Sequence, residues 1–371
     1  MAAPFLLLSL FTLFIEAKAE IACRDMEGNA VDWYYMYKLP ELHNHSDHLV
    51  QEGRAFLYLD VNQPNWVFSH KSIQDSSGHA AAATINQIYS HKTNKDAYYL
   101  FYNDEHPPDK GGDYHRGHCK GVQIFDETQG FWLIHSVPKF PGRTTYDYPD
   151  SGRYYGQSFL CITFETSDSL AKIANQLYYM MPDMYESYLP PEMARTFPQL
   201  AAVLKNKTAS HAPYNNQVDL ESLGGQTFTH FAKHSLWHKD LYANFVAPSL
   251  DQSLYVETWQ NGRGDLPAIC NQTNKVFTMH TMNFDGVPFT TNQDHSKWCV
   301  SIPNVLDSQP WICVGDTNRQ ISQYHRAGGT MCLKSAEVWA QYEKDCLKYY
   351  DCDGNPRQIP HFRHTNRIVD I

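Results

Sequence analysis

The chain has 371 residues, of which 42% are hydrophobic and 14% are aromatic. This content can fill a large buried core and excludes an intrinsically disordered protein, and the length fits one large domain or two smaller ones. The formal charge is −10 at neutral pH, from 30 basic and 40 acidic residues, so the protein repels a polyanion there. Its 19 histidines have ordinary pKa values of about 6.5. Mild acid would therefore add positive charge and move the protein towards attracting a polyanion.

The N-terminus has the features of a secretory signal. An apolar run at 5–15 leads to Ala17-Lys18-Ala19, a small-x-small cleavage pattern, so residues 1–19 are predicted to be a signal peptide. No apolar run reaches the roughly 20 residues that cross a bilayer, so no membrane association is expected. Asn-x-Ser/Thr sequons predict glycosylation at Asn44, Asn206 and Asn271. All nine cysteines follow the cleavage site, which fits an oxidising, lumenal or secreted environment.

Strands and helices are predicted along the whole mature chain. Short β-branched and aromatic runs, broken by Gly, Pro, Asn and Asp, predict strands at 55–61, 97–102, 121–125, 130–136, 159–164, 254–259 and 297–302. Helical periodicity predicts helices at 169–181, 193–205, 221–233 and 336–350. Because the two kinds of element are interleaved, we expect a mixed fold, α/β or α+β.

Two His-x-Lys units, His118-Cys119-Lys120 and His295-Ser296-Lys297, lead into predicted strands. In an extended strand, residues i and i+2 point to the same face, so each unit would present an imidazole and an ammonium side by side. One unit alone is a weak signal in a chain with this many histidines. Two units in the same sequence context are more specific.

The two units together have the chemistry that cleaves a phosphodiester. This reaction needs a nucleophile, a proton donor for the leaving oxygen and fixed positive charge against the non-bridging oxygens. Two histidines and two lysines supply all three without a metal ion. We therefore expect no cofactor.

The two units also begin a weak internal repeat. The first continues into 121–125 and 131–136, and the second into 298–302 and 310–316, each giving strand, turn and strand. This pattern predicts two homologous halves, residues 20–190 and 215–371, joined by a connecting segment at 191–214. If neither half holds a whole active site, the cleft lies where they meet.

A zinc site is an alternative use of the first unit. His115, His118 and Cys119 have ligand chemistry at close spacing, although Arg116 and Lys120 would add repelling positive charge. The histidines of the 43–48 segment could also bind a metal, but a polar loop with a sequon explains them more simply.

A covalent cysteine mechanism is a second alternative. Cys119 adjoins Lys120 and Cys299 follows Lys297 by two positions, and nearby positive charge favours a reactive thiolate. A disulfide or an inert buried thiol is the commoner outcome for such cysteines.

Several long strings of the chain resemble the deoxyribonuclease II family. They extend from about residue 20 to 352 and include the segments 23–25, 31–40, 102–104, 117–122, 131–141, 155–161 and 294–298. The resemblance implies an acid, metal-independent DNA endonuclease that is lysosomal or secreted and leaves 3′-phosphate and 5′-hydroxyl ends. It also implies a phospholipase D-like pseudo-dimer, in which two homologous halves pack as one unit.

The resemblance also implies roles for individual residues. His118, Lys120, His295 and Lys297 fall on the two catalytic motifs of the family, and His135 falls on a further histidine associated with activity. The implied disulfides are Cys23–Cys161, Cys270–Cys352 and Cys313–Cys332, which leaves Cys119, Cys299 and Cys346 unassigned. Cys119 departs from the Thr or Ser expected inside the first motif.

The expected mechanism uses one histidine as nucleophile, through a phosphohistidine, and the other as proton donor. The sequence leaves open which histidine attacks. DNA is the expected partner, bound largely through its phosphates without regard to sequence, and no protein partner can be inferred. The alternatives are a catalytically inactive DNA-binding relative and a zinc-dependent phosphodiesterase.

Overall fold

The computed structural model describes residues 20–108, 110–303 and 309–360. The predicted signal peptide at 1–19 and residues 361–371 of the predicted second half lie outside this part of the chain. Across the described ranges, two large sheets of eight and ten strands combine with helices and two small two-stranded ribbons. This architecture confirms the mixed α/β class.

The first large sheet is formed by the N-terminal part of the chain. The strands of this part are β1 (Cys23–Arg24), β2 (Ala30–Val31), β3 (Trp33–Lys38), β4 (Phe56–Asp60), β5 (Val67–Phe68), β6 (Tyr98–Tyr102), β7 (Glu105–His106), β8 (Lys110–Gly111), β9 (Gly121–Phe125), β10 (Gln129–His135), β11 (Gln157–Glu165) and β12 (Met184–Tyr188). Its helices are α1 (His48–Gln51), α2 (Ala80–Asn94) and α3 (Thr166–Met180). The strand order in the sheet is β12-β6-β9-β10-β11-β3-β4-β5.

The second large sheet follows two short helices, α4 (Pro191–Thr196) and α5 (Pro198–Val203). The later elements are β13 (Asn215–Glu221), β14 (Thr227–Lys233), α6 (Ala247–Leu250), β15 (Leu254–Glu257), β16 (Val276–Phe284), β17 (Val287–Thr290), β18 (Trp298–Ser301), β19 (Trp311–Gly315), β20 (Gly328–Lys334), α7 (Ala336–Glu343), β21 (Cys346–Tyr350) and β22 (Pro356–Gln358). The strand order is β13-β14-β20-β19-β18-β15-β16-β21-β22, with β17 beside β16.

The central strands of the two sheets follow the same order. In the first sheet they are β3-β11-β10-β9-β6, and in the second β14-β20-β19-β18-β15, with antiparallel pairing throughout. The registers also match, because Gly121 faces Ile134 in the first set as Trp298 faces Val314 in the second. Positions that correspond in this way are called equivalent below.

The two sheets share one hydrophobic core. Aromatic side chains meet across it: the Tyr37 and Phe284 rings are stacked with centroids 4.0 Å apart, and Trp132 lies 5.0 Å from His230. Buried residues of α3 and α7 belong to the same cluster. Because burying one large apolar side chain contributes about 1.5–3 kcal/mol, this shared core fixes the sheets against each other.

All seven predicted strands are confirmed, with small shifts at their ends. The predicted helix at 169–181 is also confirmed, as α3. Helix α2 was not predicted, because its run of alanines and polar residues has little helical periodicity.

Three predicted helices are wrong in whole or in part. The segment 221–233 is mostly strand β14, joined to β13 by a turn at which Gly225 has φ +87°, and its Thr-Phe-Thr-His-Phe stretch alternates with period two. The segment 193–205 is interrupted where Pro198 begins a new helix, since proline cannot continue the hydrogen-bond ladder. The helix at 336–350 ends at Glu343, and its remainder is β21.

Candidate active site

The first His-x-Lys unit lies just before β9 and is held by the second sheet. The backbone N–H of His118 donates to the carbonyl of Ala327 at 2.8 Å, and His118 Nδ1 is hydrogen-bonded to the carbonyl of Asp316. Only 7% of the His118 surface is exposed. Residues distant in sequence therefore fix both the backbone and the ring of this histidine.

The second unit lies just before β18 and is held by the first sheet. The backbone N–H of His295 donates to the carbonyl of Gly156 at 2.9 Å, and His295 Nδ1 lies 3.0 Å from the carbonyl oxygen of Ser136. Gly156 is equivalent to Ala327, and Ser136 to Asp316. Each sheet therefore supplies the same two carbonyl acceptors to the histidine that leads into the other sheet. These contacts are called the four crossed hydrogen bonds.

The crossed hydrogen bonds also assign the ring protons. A carbonyl oxygen only accepts, so Nδ1 carries hydrogen in both His118 and His295. In a neutral ring this leaves the lone pair on Nε2, which is the nitrogen available for attack or proton transfer.

Asp104 joins the histidine and lysine of the first unit. Its Oδ2 lies 3.7 Å from His118 Nε2, and its Oδ1 accepts a hydrogen bond from Lys120 Nζ. Arg326 Nη1 reaches the same carboxylate at 3.3 Å. His118 and Lys120 thus face one common partner, as their i, i+2 spacing predicts.

A network behind the second unit supports Lys297. The Lys297 N–H donates to Ser158 Oγ at 3.3 Å, and Lys297 Nζ donates to the His295 carbonyl. Asp294 accepts hydrogen bonds from the backbone and hydroxyl of Ser296 and from the hydroxyl of Tyr37. All of these groups except His295 are fully buried.

Charge and burial shift the pKa values of this cluster. Burial, followed by the charge of Lys120, lowers the pKa of His118 well below its ordinary value. Burial and then Lys297, Lys120 and His118 lower the pKa of His295 in the same direction. Burial acts to raise the pKa of Asp104, but attraction to Lys120, His118 and Arg326 outweighs it and holds the pKa well below its ordinary range.

These interactions bring both units into one cleft. Lys120, from the first unit, acts on the pKa of both His295 and Lys297 in the second. The Lys297 carbonyl accepts a hydrogen bond from the Gly315 N–H at 2.9 Å, next to the Asp316 carbonyl that holds His118. The two units are therefore close neighbours. A substrate anion placed there would meet positive charge from both sheets.

His135 lies behind the cleft. Its ring is fully buried, with centroids 5.2 Å from Phe140 and 6.0 Å from Phe159. Burial, then Lys120, lowers its pKa to about 3, so the ring is neutral. Its backbone N–H donates to the Lys120 carbonyl at 3.3 Å, which places His135 next to the first unit on the strand β10.

The cysteines divide into three disulfides and three buried thiols. The disulfides are Cys23–Cys161, Cys270–Cys352 and Cys313–Cys332, the same pairs that the resemblance implies. Burial raises the pKa values of the free thiols, Cys119, Cys299 and Cys346. The protonated form is therefore favoured, so Cys119 fits the inert buried thiol and not the alternative of a reactive thiolate.

The proposed zinc ligands do not form a set. In the described ranges, no three His, Cys, Asp or Glu side chains are grouped so that they could hold a metal ion. His115 is exposed, whereas His118 is buried and Cys119 Sγ lies 3.8 Å from the carbonyl of Met180. The histidines of the 43–48 segment likewise form no such group.

The sequons and the membrane prediction can be examined directly. The three sequon asparagines, Asn44, Asn206 and Asn271, are all exposed. No helix in the described part of the chain is both long enough and apolar enough to cross a bilayer.

Sequence reasoning did not assign Asp104, Arg326 or Asp316 to the site. The repeat contained a signal for Asp316, because it ends the second apolar strand as Ser136 ends the first. Asp104 and Arg326 carried no such signal, since they are 222 positions apart and meet only in the folded chain.

The two histidines and two lysines contributed by the two sheets have the chemistry that a phosphodiester-cleaving site requires. The family model for deoxyribonuclease II matches residues 22–352. The chain belongs to the deoxyribonuclease II family, and its enzyme class is DNA-hydrolysing nuclease.

Individual relatives match over most of their length. Cell death-related nuclease 6 of Caenorhabditis elegans is 40% identical, covering 88% of this chain and 88% of the relative. Plancitoxin-1 of Acanthaster planci is 38% identical, covering 94% and 97%. Deoxyribonuclease-2-alpha of Sus scrofa is 35% identical, covering 91% and 92%.

Proposed function

We propose that the protein is an acid, metal-independent DNA endonuclease that acts through a phosphohistidine and leaves 3′-phosphate and 5′-hydroxyl ends. The catalytic groups are His118, Lys120, His295 and Lys297. The four crossed hydrogen bonds carry this proposal, because they hold both imidazoles by Nδ1 and leave both Nε2 atoms for chemistry.

We also propose that this enzyme has the fold of a phospholipase D-like pseudo-dimer. Residues 20–190 and 215–371 are its two homologous halves, and 191–214 connect them. The matching order and register of the five central strands support this division. The crossed hydrogen bonds support a pseudo-twofold relation, since each half gives the other the same pair of carbonyl oxygens.

The reaction proceeds in two displacements. Nε2 of one neutral histidine attacks phosphorus, the bond to the 5′-oxygen breaks, and the other histidine donates its Nε2 proton to that oxygen. Water then attacks phosphorus, gives a proton to the second histidine and releases the first from the 3′-phosphate. Lys120 and Lys297 stabilise the charge on the non-bridging oxygens, and His135 acts as a positioning residue behind Lys120.

The requirement for acid follows from the lowered pKa values of His118 and His295. Near neutral pH both rings are neutral, and the leaving oxygen lacks a proton donor. Acidification protonates one ring of the coupled pair and leaves the other able to attack, which gives a bell-shaped profile with an acidic optimum.

The cellular setting follows from the resemblance and the N-terminal sequence. We place the mature enzyme in the lysosome or outside the cell, with cleavage after Ala19 and glycans on Asn44, Asn206 and Asn271. Exposure of the three asparagines supports the glycan positions. The substrate is DNA of any sequence, bound through its phosphates.

A plasmid-nicking assay at pH 5 and pH 7.5, each with and without EDTA, tests the proposal. The wild type should nick DNA at pH 5 in EDTA, while His118→Ala and His295→Ala should lose at least about 1,000-fold, because each histidine acts in both steps. His43→Ala, which removes an exposed histidine of the 43–48 segment, is the matched control and should keep full activity.

The other results would each overturn the proposal. Loss of activity in EDTA would indicate a metal-dependent phosphodiesterase, and DNA binding without nicking at pH 5 would indicate an inactive relative. Wild-type nicking by a folded His118→Ala or His295→Ala protein would show that the assigned catalytic groups are wrong.

A further inference from the structure

The surroundings of the two catalytic histidines differ at equivalent positions. Tyr102 faces Gly121 in β6–β9, and Glu257 faces Trp298 in β15–β18, so Tyr102 and Glu257 are equivalent. Two residues further along, Asp104 in the first half therefore corresponds to Trp259 in the second. Arg326 precedes Ala327 as Tyr155 precedes Gly156, so Arg326 corresponds to Tyr155.

One pair is ionic and the other is aromatic. Beside His118, Asp104 and Arg326 form an ion pair of 3.3 Å. Beside His295, the rings of Tyr155 and Trp259 meet edge to face with centroids 4.5 Å apart. The Trp259 ring centroid lies 5.0 Å from that of His295. The backbone thus places a pair of side chains next to each histidine, and only the side-chain chemistry differs.

The aromatic pair is not explained by core packing. Tyr155 and Trp259 are both partly exposed, and neither belongs to, or packs against, the hydrophobic clusters of the described chain. In the described ranges, their ring contacts are with each other and with His295. Two large, partly exposed rings without an apolar layer behind them have surface available for a planar ligand.

We propose that Tyr155 and Trp259 form a nucleobase-binding subsite on the His295 side of the cleft. The inference rests on the proposed function, because the phosphate lies between the two histidines and a nucleoside extends from it on this side. A base offers a flat π-face to an aromatic ring, and stacking of this kind tolerates every base. The subsite would therefore add affinity without adding sequence preference.

The ionic pair cannot serve the same purpose on the other side. Asp104 is buried and committed to His118, Lys120 and Arg326. The cleft is accordingly asymmetric although its frame is nearly symmetric. One nucleoside next to the scissile phosphate stacks on the aromatic pair, and the other does not.

Three small substrates measured at pH 5 in EDTA test the subsite. They are thymidine 3′-(4-nitrophenyl phosphate), thymidine 5′-(4-nitrophenyl phosphate) and methyl 4-nitrophenyl phosphate, which lacks a base. The wild type should prefer one thymidine ester over the methyl ester by about tenfold or more in kcat/KM, through KM, which is the size expected for one stacked base. Trp259→Ala should reduce this ratio to near one, and Trp259→Phe should keep part of it.

Tyr154→Ala is the matched control, because Tyr154 is a 57% exposed aromatic residue next to Tyr155 that contacts neither histidine ring. Its ratio should equal that of the wild type. If Trp259→Ala keeps the wild-type ratio, or if the wild type cleaves all three esters equally well, the subsite is wrong and the proposed function stands. If the wild type cleaves neither these esters nor plasmid DNA, the proposed function fails and the subsite fails with it.

Discussion

Asp104 shows how one side chain can set the protonation of a catalytic pair. Its carboxylate lies against His118, Lys120 and Arg326. Burial and Lys120 lower the pKa of His118, and Asp104 opposes them by favouring the protonated ring. The carboxylate thus counteracts part of the lowering of the His118 pKa.

Asp104→Asn should therefore move the activity profile to lower pH. Without the carboxylate the pKa of His118 falls further, so we expect the alkaline limb of kcat against pH to shift down by about one unit or more. The measurement is a pH series of plasmid nicking, with Asp351→Asn as the control, since Asp351 pairs with Arg357 and not with a residue of either His-x-Lys unit. An unchanged or alkaline-shifted limb would contradict this role of Asp104.

The two His-x-Lys units could be recognised in the sequence because their signal is local, whereas their partners in the folded chain could not. His-x-Lys places two groups on one face of any extended segment, and this occurred twice. The contact from Asp104 to Arg326, by contrast, depends on how two sheets pack. For Cys119 the sequence left a reactive thiolate and an inert buried thiol open, and burial, which raises its pKa, favours the inert thiol.

At the scale of elements, the segment before β11 meets the segment before β18 closely. A Cβ atom on Gly156 would lie 2.4 Å from Asp294 Oδ1, and Asp294 is held by Ser296 and Tyr37. The equivalent position in the other half carries Ala327. The second unit therefore needs a glycine where the first accepts a methyl group.

Gly156→Ala should lower both stability and activity. The methyl group would displace Asp294 and with it the segment that carries His295, at a cost of about 1–3 kcal/mol. Thermal melting and nicking at pH 5 measure the two effects. The mirror change Ala327→Gly creates no clash and should cost about 1 kcal/mol or less with activity retained; equal losses in the two variants would refute the close-packing explanation.

Strands were predicted correctly where β-branched and aromatic runs are bounded by Gly, Pro, Asn or Asp. Helices were predicted wrongly where the residues suit either a helix or a strand. The 221–233 segment contains residues that suit a helix, but its 228–233 part pairs with β20 and is buried throughout. The period-two alternation of Thr-Phe-Thr-His-Phe is a strand signal within the segment, and the pairing with β20 agrees with it.

At the scale of the whole molecule, several buried carboxyl groups favour an acidic environment. Burial raises the pKa of Asp316 to about 7 and that of Asp345 to about 8, and it also raises those of Asp294 and Glu257. A carboxyl with a raised pKa in the folded state stabilises the fold below its unfolded pKa, and this contribution is lost as pH rises through the folded value. Buried neutral histidines such as His230, with a pKa near 3, act in the opposite direction below pH 6.5.

Asp345→Asn isolates the carboxyl effect away from the cleft. Asp345 is 6% exposed, and its Oδ2 has no hydrogen-bond partner in the described chain. The amide removes the cost of ionising a buried group, so the gain in unfolding free energy should be at least about 1 kcal/mol larger at pH 8 than at pH 5. Chemical denaturation at both pH values measures this, with exposed Asp353→Asn as the control; a gain independent of pH would count against it.

The repeated strand, turn and strand after each His-x-Lys unit could be read in the sequence, but the side-chain differences between the two copies could not. Equivalent strands could be aligned by sequence through the two His-x-Lys units. The sequence alignment did not show that Asp104 and Trp259 are equivalent positions, because both lie in irregular segments beyond the aligned strands.

The crossed hydrogen bonds have a consequence for the cell that synthesises this chain. His118 is translated early, yet its ring and backbone are fixed by Asp316 and Ala327, which emerge from the ribosome some two hundred residues later. Until those residues are made, the first unit lacks two of the four crossed hydrogen bonds. In the cell, the first unit therefore reaches its folded geometry only after most of the second sheet has been synthesised.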